Sequence, residues 1–565
     1  MSRRTSPRLH SLLLACCTLA LLAATPGDER EAAQIPRLDP GPRRVLLVMI
    51  DGLPTGAFER ALDGGDMPRL ATLLASRPTL RTTAFSTFPS ATSPSVPELL
   101  SGRYCALDNP EPGAVHAFDR EERRVVRYVT EPDTWKWPAP NLFDAARLAG
   151  LASVTVFEGR WDGPRSILTR AANFRDAALE VAGITEYDGD RGPVEKLVRE
   201  LRGPAPPPVG LLVFNAVDLG GHFHGPDSPE VRTALMRTDA LLGEVLTALA
   251  DTRGPEGRPR LADTTLLLFG DHGMVQSGTY LDLQPFFQQR GLKTFDASSV
   301  SQIVFRERLG KVWTQWPDVL LVSGGSNITQ VYFRASTGGW SLDQPAGKRE
   351  AERAEVRPDP STMAAAIAEL PGVAQVLRSP GAGEVEVLAA AGRYARVVES
   401  ERDGAPVFAY LVPAGANADP FGYLADPSVA PLVCREGQAG SACYLRREEW
   451  IRRTLAARYP GAPALLGKAF DPARFAGDLM VTALPGYSFL RGQKGDHGNL
   501  EREAMLTPLV LNGPGVDPAR LPPLVRLIDI YPTAAVLLGA SPLDPALLAL
   551  DGHSLVASAA PIDAR

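Results

Sequence analysis

Short, unbroken apolar runs recur along the chain, separated by segments of helical period. Arg44-Val-Leu-Leu-Val-Met-Ile, Ala152 to Phe157, Val209 to Val217, Thr264-Thr-Leu-Leu-Leu-Phe and Leu506-Thr-Pro-Leu-Val-Leu are too short for buried helices and do not alternate apolar with polar. Such runs suit strands covered on both faces, as in parallel sheets. Helices are expected over Ala57 to Ser76, interrupted at Pro68; over Asn141 to Gly150, with a glycine stop; over Ser228 to Ala250; and over Asp529 to Leu538. Leu235, Leu241, Leu242, Val245 and Leu246 give the third of these an apolar stripe. Thr79 to Phe88 reads as extended. The alternation predicts an α/β fold, a mostly parallel central sheet sandwiched by helices, with an inserted cap region.

The pattern changes between 281 and 484, where Pro/Gly turns separate short strands (Gln330 to Arg334, Glu384 to Leu388, Val407 to Val412) and helices (Ser361 to Leu370, Arg446 to Tyr459). The expected layout is a first core part over 43–280, an insertion or cap over 281–484 that contributes partly to the core, and a last core part over 485–560. Gly477 to Phe489 returns to strand character, and no internal repeat is apparent. Substrate selectivity is expected to reside in the cap.

At 565 residues and 44% hydrophobic, the chain can bury one large core or two to three ordinary ones. A formal net charge of -6 gives no basic field for a nucleic-acid polymer. A small phosphate ester held by cations needs no such surface. The first 24 residues carry a basic start, an apolar run from Ser11 to Ala24 and a small-residue end, which reads as a signal peptide. Residues 25–42 then form a linker, Pro-rich from Gln34. The apolar run is short for a bilayer span, so export to the periplasm or medium is expected, with no transmembrane span after signal removal. Lipoprotein anchoring at Cys16 is the less favoured reading because that cysteine lies early in the run. The mature chain keeps Cys105, Cys434 and Cys443; export permits a disulfide, and Cys434 with Cys443 is the expected pair. Oligomeric state is not legible.

Several apolar runs end in metal-ligand residue types. Asp51 follows the first, Asp218-x-x-x-His222 the third and Asp271-His272 the fourth, while Asp496-His497 precedes the fifth. Any one of them reads equally well as a turn cap or an ordinary loop residue. Together they change the picture, because the strand ends of a parallel sheet share one edge, where residues far apart in sequence converge. Asp51, Asp218, His222, Asp271, His272 and His497, each expected at or near the C-terminal end of an apolar strand, then make six oxygen and nitrogen ligands without thiolate, a set that suits two borderline divalent ions, zinc first, with other divalent ions as substitutes. His116, His224 and His553 lack such a context, His224 being the nearest to an exception.

Phe88-Pro-Ser-Ala-Thr92-Ser-Pro-Ser-Val-Pro-Glu-Leu-Leu-Ser-Gly102 supplies what those ions would activate. By itself a Ser/Thr/Pro-rich stretch is usually a loop. A helix starting near Pro97, just after Thr92, would aim its positive end at an anion held there.

These elements resemble the alkaline phosphatase superfamily, specifically its nucleotide pyrophosphatase/phosphodiesterase-like branch. The matching elements are Val-Met-Ile-Asp51-Gly, Thr92-Ser-Pro-Ser with Leu-Ser-Gly102, Asp218-x-x-x-His222-x-x-Gly-Pro, Gly-Asp271-His272-Gly, Gly-Asp-His497-Gly and Asp-Ile-Tyr-Pro-Thr, in family order across most of the mature chain. The resemblance implies one zinc on Asp218, His222 and His497 and a second on Asp51, Asp271, His272 and the Thr92 oxygen. It also implies Thr92 as a nucleophile that forms a phosphothreonine. Thr87, in Ser-Thr-Phe-Pro, resembles the same nucleophile motif, but the distance to Leu-Ser-Gly102 favours Thr92. Asn109 is the candidate oxyanion donor at imperfect spacing. The family's Trp-Pro-Gly element looks replaced by Phe157-Glu-Gly-Arg160. No Lys-x-Arg pair of the monoesterase type is evident, with Arg160, Arg165 and Lys494 as the nearest substitutes.

The expected activity is hydrolysis of a small phosphodiester or nucleotide pyrophosphate. Alkaline phosphomonoesterase action at the same site is the alternative. A sulfatase would need an arginine that Thr92-Ser-Pro-Ser-Val lacks. A metal-binding relative without catalysis would lack a ligand or the nucleophile, and the sequence lacks neither.

Overall fold

The computed structural model describes residues 44–104, 116–127, 141–157, 164–168, 189–254, 256–297, 316–323, 327–334, 340, 360–437, 440–470, 474–539 and 550–556. The signal-peptide reading, the linker, and the positions of Cys105, Asn109 and Arg160 lie outside them.

The main sheet has seven strands among the described residues. In chain order they are β1 (Arg44–Ile50), β2 (Thr79–Phe85), β3 (Ser153–Phe157), β4 (Arg165–Leu168), β5 (Val209–Phe214), β6 (Thr264–Phe269) and β7 (Leu506–Asn512). Across the sheet the order is β2-β7-β6-β1-β5-β3-β4. β1 lies parallel to β5 and to β6, whereas β7 runs antiparallel to both β6 and β2. Six strands therefore share one direction and only β7 opposes it. Because β7 is reversed, its start lies at the edge where β6 and β2 end, as the Phe85–Leu506 pairing shows.

Alternate residues of β1 serve opposite faces, as the strand pleat requires. Val45, Leu47 and Met49 pack with helices α3 (Thr92–Ser101), α4 (Leu142–Leu148) and α8 (Ile530–Leu538). Leu46, Val48 and Ile50 pack with α1 (Thr55–Asp63), α2 (Pro68–Ser76), α5 (Arg191–Leu201) and α7 (Pro229–Asp251). Helices thus cover both faces of a mostly parallel sheet, and the unbroken apolar runs follow from that double burial.

Among the described residues, a second sheet of ten strands is built from residues 294–483. Its centre pairs 328–333 with 479–483 and 479–483 with 373–381, all antiparallel. Cys434 and Cys443 form a disulfide at its far end.

Three expectations differ from the structure. The run after Val209 leaves the sheet at Phe214, and helix α6 (Ala216–His224) follows at once, so Asp218 and His222 are helical rather than in a glycine loop. Helix α3 begins at Thr92 itself, with Pro94 in its first turn, and Pro97 sits inside it. Proline in a first turn removes no hydrogen bond, which lets the helix start earlier than Pro97 suggested. His497 ends no apolar strand: it follows the two-residue strand Gly495–Asp496 and precedes β7. It still reaches the shared edge because β7 runs backwards.

Candidate metal centre

Each expected ligand with described coordinates lies at the edge where the parallel strands end. Asp51 follows β1, and its N–H donates to Phe214 O at 2.9 Å. Gly52 turns there with φ of 60°, and a Cβ on it would collide with Asp218 Oδ1. Glycine is needed here for both its backbone conformation and its small size. Asp271 and His272 follow β6 and are fully buried. Asp271 Oδ1 accepts from Gly52 N at 3.2 Å and from His272 N at 3.1 Å, which ties the two strand ends together.

Asp218 and His222 stand four residues apart on α6, so they share one face; His222 Nε2 is 3.3 Å from Asp218 Oδ2. The start of that helix is set by Asp190, whose carboxylate accepts from Asn215 N and Ala216 N, each at 3.2 Å. His497 Nε2 lies 3.7 Å from Asp218 Oδ1 and 3.2 Å from His222 Nε2. Thr92, the first residue of α3, places Oγ1 3.2 Å from Asp51 Oδ1 and 3.4 Å from His272 Nε2. Thr87 goes elsewhere: it is buried against a small internal cavity lined also by Phe85, Glu98, Tyr104 and Arg526.

The donor chemistry fits divalent cations. Each of the three imidazoles directs Nδ1 at a backbone carbonyl: His222 at Gly495 O (3.1 Å), His272 at Gly273 O (2.9 Å) and His497 at Ser90 O (3.0 Å). An Nδ1–H donated to a carbonyl fixes the tautomer that leaves the Nε2 lone pair facing inward. When both rings are neutral, as a cation requires, two inward lone pairs at 3.2 Å make no hydrogen bond with each other. They do match two ligands of one ion, since nitrogens about 2.0–2.1 Å from a tetrahedral zinc stand about 3.3 Å apart. Ligand atoms of Asp218, His222 and His497 form one group within 4.8 Å of one another, and those of Asp51, Asp218 and His272 form another. Asp218 belongs to both.

The electrostatics point the same way. Burial, then the neighbouring carboxylates of Asp271 and Asp218, raises Asp51 well above the usual carboxylate range. Burial also raises Asp271. Burial pushes Asp218 upward too, but His222, His497 and His272 outweigh it and hold that carboxyl well below its ordinary range. Burial works against the charged imidazoles, yet Asp218 lifts His222 to about 9, and Asp271 with Asp51 lifts His272 to about 10. His497 is driven well below the imidazole range by burial and by His272. Without cations, then, protons crowd the imidazoles beside three buried carboxylates. Asp218 Oδ1 and Asp271 Oδ2 are buried and take no hydrogen bond. An uncompensated buried charge is costly, so carboxylates held charged here need either the protonated imidazoles or cations beside them.

Of the remaining candidates, Lys494 exposes its side chain while its N–H donates to His222 O at 2.7 Å. Arg165 is described only as part of β4. Among the described residues, Asp190, Ser90 and Asn327 support the cluster without having stood out in the sequence, and Asp496 stood out only as the neighbour of His497. Their contributions run through backbone groups and distant partners, which residue spacing does not show.

The family model for type I phosphodiesterase / nucleotide pyrophosphatase matches residues 45–367, more than half of the chain. By sequence, no curated protein matches the chain. Similar solved structures include human ectonucleotide pyrophosphatase / phosphodiesterase 5, at TM-score 0.49 and 14% identity over 89% of this chain and 96% of that one. The murine protein of the same name matches at TM-score 0.48, and an inactive variant of it in complex with AMP at 0.46, each with the same identity and coverage.

Proposed function

The chain belongs to the type I phosphodiesterase / nucleotide pyrophosphatase family, hydrolases of phosphodiester and pyrophosphate bonds, and we propose that it is an exported enzyme using two zinc ions and Thr92 as nucleophile. Its substrate is a small phosphodiester or nucleotide pyrophosphate. The observation that carries this reading is the position of Thr92 Oγ1, 3.2 Å from Asp51 Oδ1 and 3.4 Å from His272 Nε2 on the first residue of a ten-residue helix.

Asp218, His222 and His497 would hold one cation, and Asp51, Asp271, His272 and the Thr92 oxygen the other. Bound there, divalent ions would lower the pKa of the Thr92 hydroxyl and neutralise phosphate oxygens. The chain's own residues do the rest. Thr92 attacks phosphorus, the ester oxygen leaves with its electron pair, and water later cleaves the phosphothreonine. Asp51 accepts the Thr92 hydroxyl hydrogen bond in the resting state and so aims the oxygen into the cluster. Helix α3 starts at Thr92 and turns its positive end toward the phosphoryl group. Export is supported by the N-terminal sequence and by the Cys434–Cys443 disulfide, since structural disulfides persist in oxidising compartments. No described helix is long and apolar enough to cross a membrane.

The test compares bis(nitrophenyl) phosphate with nitrophenyl phosphate and counts zinc per chain. The reading expects about two ions and faster turnover of the diester. Thr92→Ala should keep both ions and lose activity on the order of 10⁴- to 10⁶-fold, as removal of a covalent nucleophile does. Faster monoester hydrolysis would assign the phosphomonoesterase alternative, and full activity in Thr92→Ala would remove the nucleophile.

A further inference from the structure

We propose that Asn327, a residue of the second sheet, is a positioning residue for the metal centre: it clamps the Asp496-His497 turn and so sets the place of the His497 imidazole. The inference rests on the two-cation reading above.

Asn327 is fully buried and immediately precedes the strand 328–333 of the second sheet. Its N–H donates to His497 O at 3.0 Å, and its carbonyl accepts from Ala483 N at 2.9 Å in the neighbouring strand. With its amide nitrogen facing the two nearby acceptors, the side chain donates to Asp496 Oδ2 at 3.2 Å and to Tyr487 O at 2.7 Å. Asp496, also fully buried, accepts from His497 N through Oδ1 at 2.9 Å. Both backbone groups of His497 are thus committed, one directly to Asn327 and the other through the carboxylate that Asn327 holds.

The opposite side of the turn is fastened to the main core. His497 Nδ1 meets Ser90 O at 3.0 Å, Gly498 N donates to Ser90 Oγ at 3.1 Å, and Ser90 Oγ donates to Asn499 O at 2.8 Å. Ser90 lies two residues before Thr92, so the turn is stapled between the nucleophile loop and the second sheet. Among the described residues, the turn is also tied to the second sheet by Asn499 Nδ2, which donates to Ala483 O at 3.2 Å two residues beyond His497. Neither Asn327 nor Asp496 is placed to coordinate a cation, because each spends its polar atoms on the turn. Residues that orient a ligand in this way alter metal affinity by roughly 10–100-fold when removed.

The test uses the full chain, stripped of metal and titrated with zinc in a calorimeter. Wild type should show two binding events, and His497→Ala identifies the one that depends on this turn. Asn327→Ala should weaken that event about 10–100-fold and leave the other unchanged. Asp496→Asn, which keeps the volume but sets two amide nitrogens against each other, should do the same, and it carries the test if Asn327→Ala does not fold. Thr482→Val is the structural control: it deletes a buried 2.6 Å hydrogen bond to Gln375 Oε1 in the adjacent strand without touching the turn. It should lower thermal stability and spare both events. In the metal-free chain, the His497 Nδ1–H should exchange with solvent faster in both turn variants than in wild type or control. Equal weakening of both events, no weakening, or the same loss in Thr482→Val would overturn the proposal. Failure of wild type to take up two ions would instead overturn the two-cation reading, and the Nδ1–H exchange would still decide whether Asn327 positions His497.

Discussion

The two halves of the centre are held by different kinds of structure. Asp51, Asp271 and His272 hang from the ends of adjacent parallel strands; Asp271 and His272 are wholly buried, and the backbone is tied across the sheet by Gly270 N to Pro508 O at 3.2 Å and Gly273 N to Ala504 O at 2.9 Å. Asp218 and His222 ride instead on a nine-residue helix, with side chains 16% and 14% exposed, and His497 sits on a turn shared with the second sheet. The half that adjoins Thr92 is therefore preorganised by the core, where few motions are available. The other half is held by a helix and a turn, and its Asp218 and His222 are slightly more open than Asp51 at 12%, while His497 is 8% exposed. Asp218 joins the two, since Oδ1 faces His497 while burial and charge couple it to Asp51.

That comparison is broken most severely at Asp218. Asp218→Asn keeps the volume but removes the one carboxylate common to both ligand groups, so zinc content should fall from about two ions to well below one. Activity should drop on the order of 10³-fold or more, the scale of losing a charge-stabilising group from an active site. His222→Ala, by contrast, should empty only the helix-and-turn half. Equal residual metal in the two variants would show that Asp218 does not bridge them. Metal analysis after gel filtration, with diester turnover, reads both.

A smaller effect is expected where the halves touch through the backbone. Gly52→Ala places a Cβ on a residue at φ of 60° and against Asp218 Oδ1. The left-handed conformation costs a non-glycine residue roughly 1–2 kcal/mol, and displacing Asp218 adds to it. The variant should melt several degrees lower and bind the cation of the helix-and-turn half more weakly, while Thr92 and the buried half stay in place. An unchanged melting temperature would mean that the β1 turn relaxes freely, contrary to its tie to Asp271.

How much of this could be read in the chain follows from which interactions are local. Five strands of the main sheet were legible because double burial writes itself as unbroken apolar runs, β2 showed only as an extended segment and β4 not at all, and the strand-end residues Asp51, Asp271 and His272 followed from those runs. Helix α6 was not legible, because Gly220 and Gly221 depress helix propensity. Their reason is tertiary: a side chain on Gly221 would run into Met274 Sδ. The early start of α3 was hidden by Pro97, whose lost hydrogen bond the packing around Val96, Leu99 and Leu100 offsets. Asn327 and Asp496 lie 169 residues apart in sequence, and their pairing could not be seen before the second sheet folded against the core.

Proton release gives the mildest test and bears on both halves at once. In the metal-free chain His222 keeps its proton up to about pH 9 and His272 up to about pH 10, whereas His497 is already neutral. Both raised values come from neighbouring carboxylates, Asp218 for the first and Asp271 with Asp51 for the second, acting against burial. A folded pKa raised above the unfolded one means that protonation stabilises the metal-free fold at low pH, fully so below the unfolded imidazole value of about 6.5. That contribution is lost as pH rises through about 9 to 10. Cations take only the neutral rings, so each ion bound near neutral pH must displace a proton, one from each half of the centre. Zinc affinity should therefore rise about tenfold per pH unit for each proton displaced, and level off once both imidazoles have titrated. Calorimetry at pH 7.5 in buffers of different ionisation enthalpy should count more than one proton released per chain. Release of none would mean that the imidazoles are neutral before the ions arrive, and that the carboxylates, not the cations, set the charge of the cluster.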